Sequence, residues 1–279
     1  MNRMKIAKRS ALPAFGVTFG FGFFYMCLLI LIPLAALAAK SIDGGYETFI
    51  EAAFSERALA AYKISFSASF FAAFVNAAFG FCIAWVLARY EFFGKNILDA
   101  LVDMPFALPT AVAGIALTTL YSSNGLLGAP LETMGIKGAF SYFGIVVALI
   151  FVGVPFTVRT LVPAIKELPK EIEEAASTLG AKGYQVFWKV IIPTIWIAWL
   201  SGFVLSFARA VGEYGSVVFI AGNLPFQTEI APLIIVTKLE QYEYIESAAI
   251  AVVMLFVSLI FLVLTDFLGK KLGNAGVNR

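Results

Sequence analysis

The chain has 279 residues, and its composition excludes a soluble globular protein. Hydrophobic residues make up 61% of the sequence, charged residues make up 14%, and the mean hydropathy is +0.89. A soluble domain carries roughly 25% charged residues, so most of this surface must face lipid. The absence of His excludes a His-based metal site, and we expect neither a bound metal nor a nucleic-acid partner.

Six apolar segments are long enough to cross a bilayer as helices. Their central residues are free of charge except in the fifth segment, which contains Arg209 and Glu213. Crossing ~30 Å of hydrocarbon at ~1.5 Å per residue takes about 20 residues. We therefore predict an all-α polytopic membrane protein. Its six spans are expected near residues 12–37, 62–87, 104–121, 140–160, 194–220 and 247–268.

The basic start of the chain, from Arg3 to Arg9, precedes the first apolar segment as it does in a secretory signal. A signal core has about 7–15 apolar residues, whereas the uncharged run here extends from residue 10 to residue 39. Although Ala36-Leu37-Ala38 is similar to a cleavage site, we predict an uncleaved first helix.

The distribution of Lys and Arg predicts the orientation, because cytoplasmic connections carry an excess of these residues. With the N-terminus inside, 14 of the 20 lie on the cytoplasmic side, five lie outside and Arg209 lies in the membrane. We therefore predict that both termini are cytoplasmic. The outer set is Lys40, Arg57, Lys63, Lys137 and Lys238.

Two prolines four residues apart, Pro105 and Pro109, weaken the helix at the start of the third span. Such interruptions are tolerated where the backbone is buried in protein or lines a cavity. A cavity-lining segment and a kinked packing helix are both consistent with this pattern. Thr110, Thr118 and Thr119 follow as candidate donors to an anion, or as hydroxyls that bond to their own helix.

The connection of residues 159–189 has the pattern of a short helix–turn–helix. Pro169 is followed by acids at 171, 173 and 174, where the dipole at a helix N-terminus favours negative charge. Gly180 is predicted to end this helix in the left-handed conformation. A second helical stretch begins near Lys182 and continues into the fifth span.

This connection resembles the EAA loop of binding-protein-dependent ABC importer permeases, the MetI-like family. The family pattern is E-A-A, three residues, G, nine residues and I-x-L-P. Here the first part is Glu174-Ala175-Ala176, three residues and Gly180, and the second part ends at Pro193. Val190 and Ile192 replace the Ile and Leu of the pattern. Residues 99–114 and 206–215 are similar to segments of sulfate/thiosulfate permeases, and molybdate permeases share the second segment.

The resemblance implies an ATP-driven importer of sulfate or thiosulfate in the inner membrane of a bacterium. Two similar permease subunits would form the pore above two ATPase subunits, and a periplasmic sulfate/thiosulfate-binding protein would deliver the anion. The EAA loop would be the coupling helix that contacts the ATPase. The implied division is a tail, first helix and outer loop at 1–59, a permease core at 60–268 and a cytoplasmic tail at 269–279.

The chain itself contains no G-x-x-x-x-G-K-[S/T] phosphate-binding motif, so we expect no catalytic residue in it. We expect it to bind no cofactor, with ATP and Mg on the partner ATPase. A gradient-driven carrier would need intramembrane relay carboxylates, and only Glu213 qualifies, beside Arg209. Importer, self-contained carrier and membrane scaffold therefore stand as three hypotheses, with the importer favoured.

Arg209 and Glu213 are four residues apart in the fifth predicted span. One hypothesis is that Arg209 attracts or gates a dianion, and the other is that the two charges form a structural pair. The second is favoured because buried ions are normally paired. Together with Pro105, Pro109 and Thr110 they are the candidate pore or gate residues.

Overall fold

The computed structural model describes residues 15–277, and these residues form a bundle of helices joined by short connections. The basic start at Arg3 to Arg9 and the C-terminal Arg279 lie outside the described residues. In chain order the helices are α1 (Phe15–Ile42), α2 (Gly45–Ala53), α3 (Glu56–Arg89), α4 (Lys95–Ala107), α5 (Thr110–Tyr121), α6 (Gly128–Thr133), α7 (Tyr142–Lys166), α8 (Lys170–Thr178), α9 (Gly183–Val211), α10 (Val217–Ile220), α11 (Ala231–Glu240) and α12 (Tyr244–Val277).

The number of spans agrees with the prediction once α4 and α5 are taken together. Within the described residues, five helices are long and apolar enough to cross a membrane: α1, α3, α7, α9 and α12. The pair α4 and α5 supplies a sixth candidate span. The all-α polytopic fold is therefore confirmed.

The core of the bundle is the contact between α3, α7 and α9. Small residues on α3, among them Ala68, Ala72 and Ala73, are fully buried and allow the neighbouring helices to approach closely. Between membrane helices such close packing replaces the hydrophobic effect, since lipid is as apolar as the side chains. Asn76 adds a polar link because its Nδ2 donates to the Ile150 carbonyl at 3.2 Å and to Ser206 Oγ at 3.0 Å.

The third predicted span, 104–121, is wrong as a single helix. The chain turns by 114° between α4 and α5. Leu108 and Pro109 both have extended backbone angles at the break, with ψ of 133° and 132°. Pro105 lies inside α4, and the break comes directly before Pro109, because the residue that precedes a proline is disfavoured in the helical region.

The fifth predicted span, 194–220, is wrong at its C-terminal end. Helix α9 ends at Val211, and residues 212–216 form a turn before the single-turn helix α10. Glu213 therefore lies beyond the helix rather than deep inside a span. The apolar run continues across the turn, so hydropathy gave no sign of the break.

The connection after the first span, which was predicted to be an outer loop, is largely helical. A turn at Asp43 and Gly44 is present as expected, but α2 follows it immediately, and Ser55 is the N-cap of α3. Ser55 accepts a hydrogen bond from the Ala58 N–H, which is the N-cap arrangement. The second half of α1 and α2 both pack against α12.

Candidate coupling loop and pore segment

The EAA loop, residues 167–189, forms the helix–turn–helix that its sequence predicts. Pro169 has an extended backbone, with φ of −65° and ψ of 132°, and α8 begins directly after it. Glu171 and Glu173 lie in the first turn, where the dipole of the helix favours negative charge. The acids thus stabilise the start of a helix of only nine residues.

Gly180 ends α8 in the left-handed region, with φ of +83°. The Gly180 N–H donates to the Ser177 carbonyl at 3.0 Å, and the Ala181 N–H donates to the Ala176 carbonyl at 3.1 Å. This pair of bonds is the Schellman motif, which satisfies carbonyls that the end of a helix leaves free. The predicted stop at Gly180 is confirmed.

Helix α8 contains no buried residue. Glu174 and Ala175 are exposed, and Ala176 is half-buried against the apolar cluster at this end of the bundle. Beside them, Leu179 is 89% exposed and Ile172 is 41% exposed. Large apolar side chains next to an exposed acid make this surface suited to binding another protein.

Pro193 follows a π-helical turn at Phe187–Ile191, near the start of the long helix α9. In this turn the Ile192 N–H donates to the Phe187 carbonyl, five residues back. A proline has no N–H to donate, and a π-bulge alters the local ladder of hydrogen bonds. The end of the EAA motif therefore lies on and just after an irregular turn in the first part of α9.

Arg89, the last residue of α3, holds α8 against the bundle. Its Nη2 donates to Glu173 Oε1 at 2.5 Å and to the Leu168 carbonyl at 3.1 Å. Its guanidinium lies 5.3 Å from the centre of the Trp85 ring. In the sequence Arg89 is only one of the basic residues on the cytoplasmic side, and no local pattern joins it to Glu173, 84 residues away.

Arg159 makes a second ionic cluster at the same end of the bundle. Its Nε and Nη2 donate to both carboxylate oxygens of Asp103, at 2.8 and 2.6 Å, and its Nη1 donates to Asp99 at 2.7 Å. Because Arg159 is on α7 and both acids are on α4, the cluster fixes the first arm of the bent third span. This cluster was also missed from the sequence.

The second arm of the bent span packs closely on the turn after α9. A Cβ built on Gly114 would lie 2.5 Å from the Ser216 carbonyl oxygen, and one built on Gly215 would overlap the Thr110 hydroxyl. Both glycines are therefore required for this contact. Thr110, at the first position of α5, is thereby placed beside the turn that follows Arg209.

Arg209 and Glu213 form an ion pair, with 2.6 Å between Nη1 and Oε2. Glu213 is 3% exposed, and its Oε1 also accepts bonds from the Ser216 N–H and hydroxyl, both at 2.9 Å. The pair connects the end of α9 to the turn rather than linking two spans. Thr118 and Thr119 donate to carbonyls of their own helix, at 2.7 and 3.0 Å.

Comparison with known proteins identifies the family of the chain. Residues 77–274 match the model of a family described as binding-protein-dependent transport system inner membrane component. The chain belongs to this family. It is an inner-membrane, multi-pass permease and a non-catalytic component of its transport system.

Named relatives are similar to this permease in sequence, and a solved structure is similar to it in fold. The sulfate transport system permease protein CysT of Synechocystis sp. is 47% identical over 90% of this chain and 88% of its own length. CysT of Escherichia coli K12 is 41% identical over 96% of this chain and 97% of its own length. A bacterial ABC transporter that imports the polysaccharide alginate has the same fold, with a TM-score of 0.72 at 14% identity over 91% of this chain and 94% of its own.

The predicted site residues of the permease fall into two separate groups. Glu174, Ala175, Ala176 and Gly180 share the exposed loop at one end, and Pro193 follows on α9. The pore candidates lie where the bent span meets the turn after α9: Pro109, Thr110, Arg209 and Glu213, with Pro105 one turn earlier.

Proposed function

We propose that this permease forms half of the pore of an ATP-driven importer that carries sulfate and thiosulfate by alternating access. The observation that carries the proposal is the EAA loop, an exposed helix bounded by Pro169 and a left-handed Gly180. The relatives that are 41–47% identical over most of the chain are named sulfate transport system permease proteins, which supports the choice of anion.

The proposed complex contains four kinds of subunit. This chain pairs with a second, similar permease subunit, and a dimer of ABC ATPases binds ATP and Mg. A periplasmic sulfate/thiosulfate-binding protein delivers the anion on the other side. The excess of Lys and Arg at the connections of the EAA-loop end supports a cytoplasmic position for this loop and both termini.

In the proposed mechanism the ATPase acts on α8. Glu174 and the exposed side chains of Ile172 and Leu179 form the contact surface. Gly180 sets the direction in which the chain leaves α8, so displacement of the helix reaches the start of α9 through residues 181 and 182. The bent span and the turn after α9 then open and close the pore.

The first test replaces Gly180. A side chain at φ of +83° is strained, and a left-handed residue with a Cβ costs about 1–2 kcal/mol. Gly180→Val is expected to insert into the membrane normally but to uncouple ATP hydrolysis from sulfate uptake in proteoliposomes that contain the whole complex. Gly183→Val is the matched control, because Gly183 has open space around it and no positive φ. Normal uptake by Gly180→Val would contradict the proposed role of the loop.

The anion is tested in the same preparation. ATP hydrolysis is measured with the binding protein loaded with sulfate, thiosulfate or molybdate. We expect stimulation by the first two. Stimulation by molybdate alone would assign the permease to molybdate import, and uptake by this chain without the ATPase would identify a self-contained carrier.

The ion pair at the pore is tested by neutralising each partner. Arg209→Gln and Glu213→Gln are each expected to abolish uptake, because each change leaves one charge without its partner. If pairing is the main role, the double change restores uptake. If the double change remains inactive, pairing is not the main role of these two residues.

A further inference from the structure

The attachment of α8 to the membrane bundle depends on few contacts. No residue of α8 is buried, and extended backbone at Pro169 and the left-handed Gly180 separate it from the helices on either side. A helix held in this way transmits a displacement through the chain that continues into α9 and through the side chains that join it to the bundle. Among the residues that the structure describes, one ion pair joins α8 to a membrane span, and it is formed by Arg89 and Glu173.

Arg89 is placed to hold two successive parts of the loop at once. Its Nη2 binds both the Glu173 carboxylate on α8 and the Leu168 carbonyl just before Pro169. The Arg89 side chain is only 11% exposed, and the Trp85 ring covers its guanidinium. A partly buried pair is screened by salt less than an exposed one, so this contact should persist at salt concentrations that weaken the exposed pairs.

The two adjacent acids of α8 have different surroundings. Glu173 is directed toward the bundle and is paired with Arg89, whereas Glu174 is exposed. One acid is thus used within the permease, and the next is free for contact with a partner. This division gives α8 a fixed inner side and an available outer side.

We infer that Arg89 is a positioning residue that transmits movement of α8 to the membrane spans. This inference rests on the proposed coupling role of the EAA loop. Arg89 is the last residue of α3, and α3 lies in the core contact with α7 and α9, where Asn76 links all three helices. A displacement of α8 therefore moves α3, and through it the bundle that surrounds the pore segment.

The test uses the whole complex in proteoliposomes and measures sulfate transported per ATP hydrolysed. Arg89→Gln and Glu173→Gln are each expected to lower this ratio by about tenfold, within the range usual for coupling between two sites. Basal ATP hydrolysis and the yield of assembled complex should change little. Arg89→Lys, which keeps the positive charge, should recover part of the ratio.

The matched control is Lys95→Gln. Lys95 pairs with Glu91 at 2.6 Å at the same end of the bundle, but neither residue belongs to α8. This change should leave the ratio unaltered, because it removes an ion pair without releasing α8. An equal loss in Lys95→Gln would mean that any change of charge at this end impairs coupling, and the inference would fail.

Gly180→Val in the same assay separates the two proposals. If Gly180→Val uncouples while Arg89→Gln and Glu173→Gln transport normally, Arg89 has no transmitting role but the loop is still the coupling element. If none of the three variants is uncoupled, the coupling role of the loop itself is wrong. If Arg89→Gln does not assemble, Glu173→Gln decides, because it breaks the same pair from the exposed helix.

Discussion

The first span, α1, and the fourth span, α7, have nearly equal hydropathy but opposite surroundings. In the apolar window of α1 no residue is buried, whereas 61% of the window in α7 is buried. Phe15, Phe19 and Phe23 stack on one another along the surface of α1. Helix α7 instead packs against α3 and α9, with Gly144, Ala148 and Gly153 buried in the bundle.

The difference between α1 and α7 shows that hydropathy identifies a span but not its neighbours. Lipid solvates apolar surface as well as protein does, so an apolar residue is tolerated on either kind of surface. Both helices contain small residues, and what separates the two is where those residues lie: a Cβ on Gly144 or Gly153 of α7 would overlap neighbouring elements, whereas one on Gly16 or Gly20 of α1 would meet nothing within 4 Å. Large Phe residues suit a surface that faces lipid, whereas small residues permit close contact between helices.

The largest effect is expected from Leu161→Ala on α7. Leu161 is fully buried in a cluster with Val158 and Ile165, so its removal leaves a cavity. We expect a loss of about 2–5 kcal/mol in the free energy of unfolding. Titration of the purified permease with a denaturing detergent measures this loss.

Leu29→Ala on α1 is the control for this comparison. Leu29 is 53% exposed, and a substitution on such a surface is expected to change stability by less than about 0.5 kcal/mol. The same pair of variants should then be measured in the assembled complex. A large loss for Leu29→Ala only in the complex would show that another subunit covers α1.

The sequence predicted the features of this protein that depend on short-range patterns. Apolar runs located α3 and α7 closely, and the spacing from Glu174 to Gly180 predicted a helix with a left-handed end. At Pro105 and Pro109 the sequence left two interpretations, a cavity-lining segment and a kinked packing helix, and neither predicted that the chain would turn by 114° before Pro109. The end of α9 at Val211 lies within an apolar run and carries no sign in hydropathy.

The contacts that position the site depend on residues far apart in the chain. Arg89 and Glu173 are 84 residues apart, and Arg159 and Asp103 are 56 apart. In the sequence each appears only as one charge in a connection. Pairing across such distances depends on how α3, α4 and α7 pack, which no local pattern determines.

Gly153 of α7 and Gly20 of α1 are expected to respond differently to an added methyl group. A Cβ on Gly153 of α7 would lie 2.5 Å from Asn76 Nδ2 and would also overlap the Ser206 hydroxyl, whereas a Cβ on Gly20 of α1 would meet nothing within 4 Å. Gly153→Ala is expected to cost about 1–3 kcal/mol of stability, as overpacking usually does. Gly20→Ala should leave stability unchanged or raise it slightly, because Ala favours a helix. Equal effects at the two positions would show that α1 is as closely packed as α7.

The smallest effect concerns the polar link between the core helices. Asn76→Ala removes the hydrogen bonds to the Ile150 carbonyl and to Ser206 Oγ, and bonds of this kind between membrane helices contribute about 0.6 kcal/mol on average and at most about 1.7. Thr194→Val is the control, because its exposed hydroxyl donates only to Val190 of the same helix among the described residues. If Asn76→Ala costs no more than Thr194→Val, the close packing of small residues alone distinguishes the core helices from α1, and the polar link has no separate role in stability.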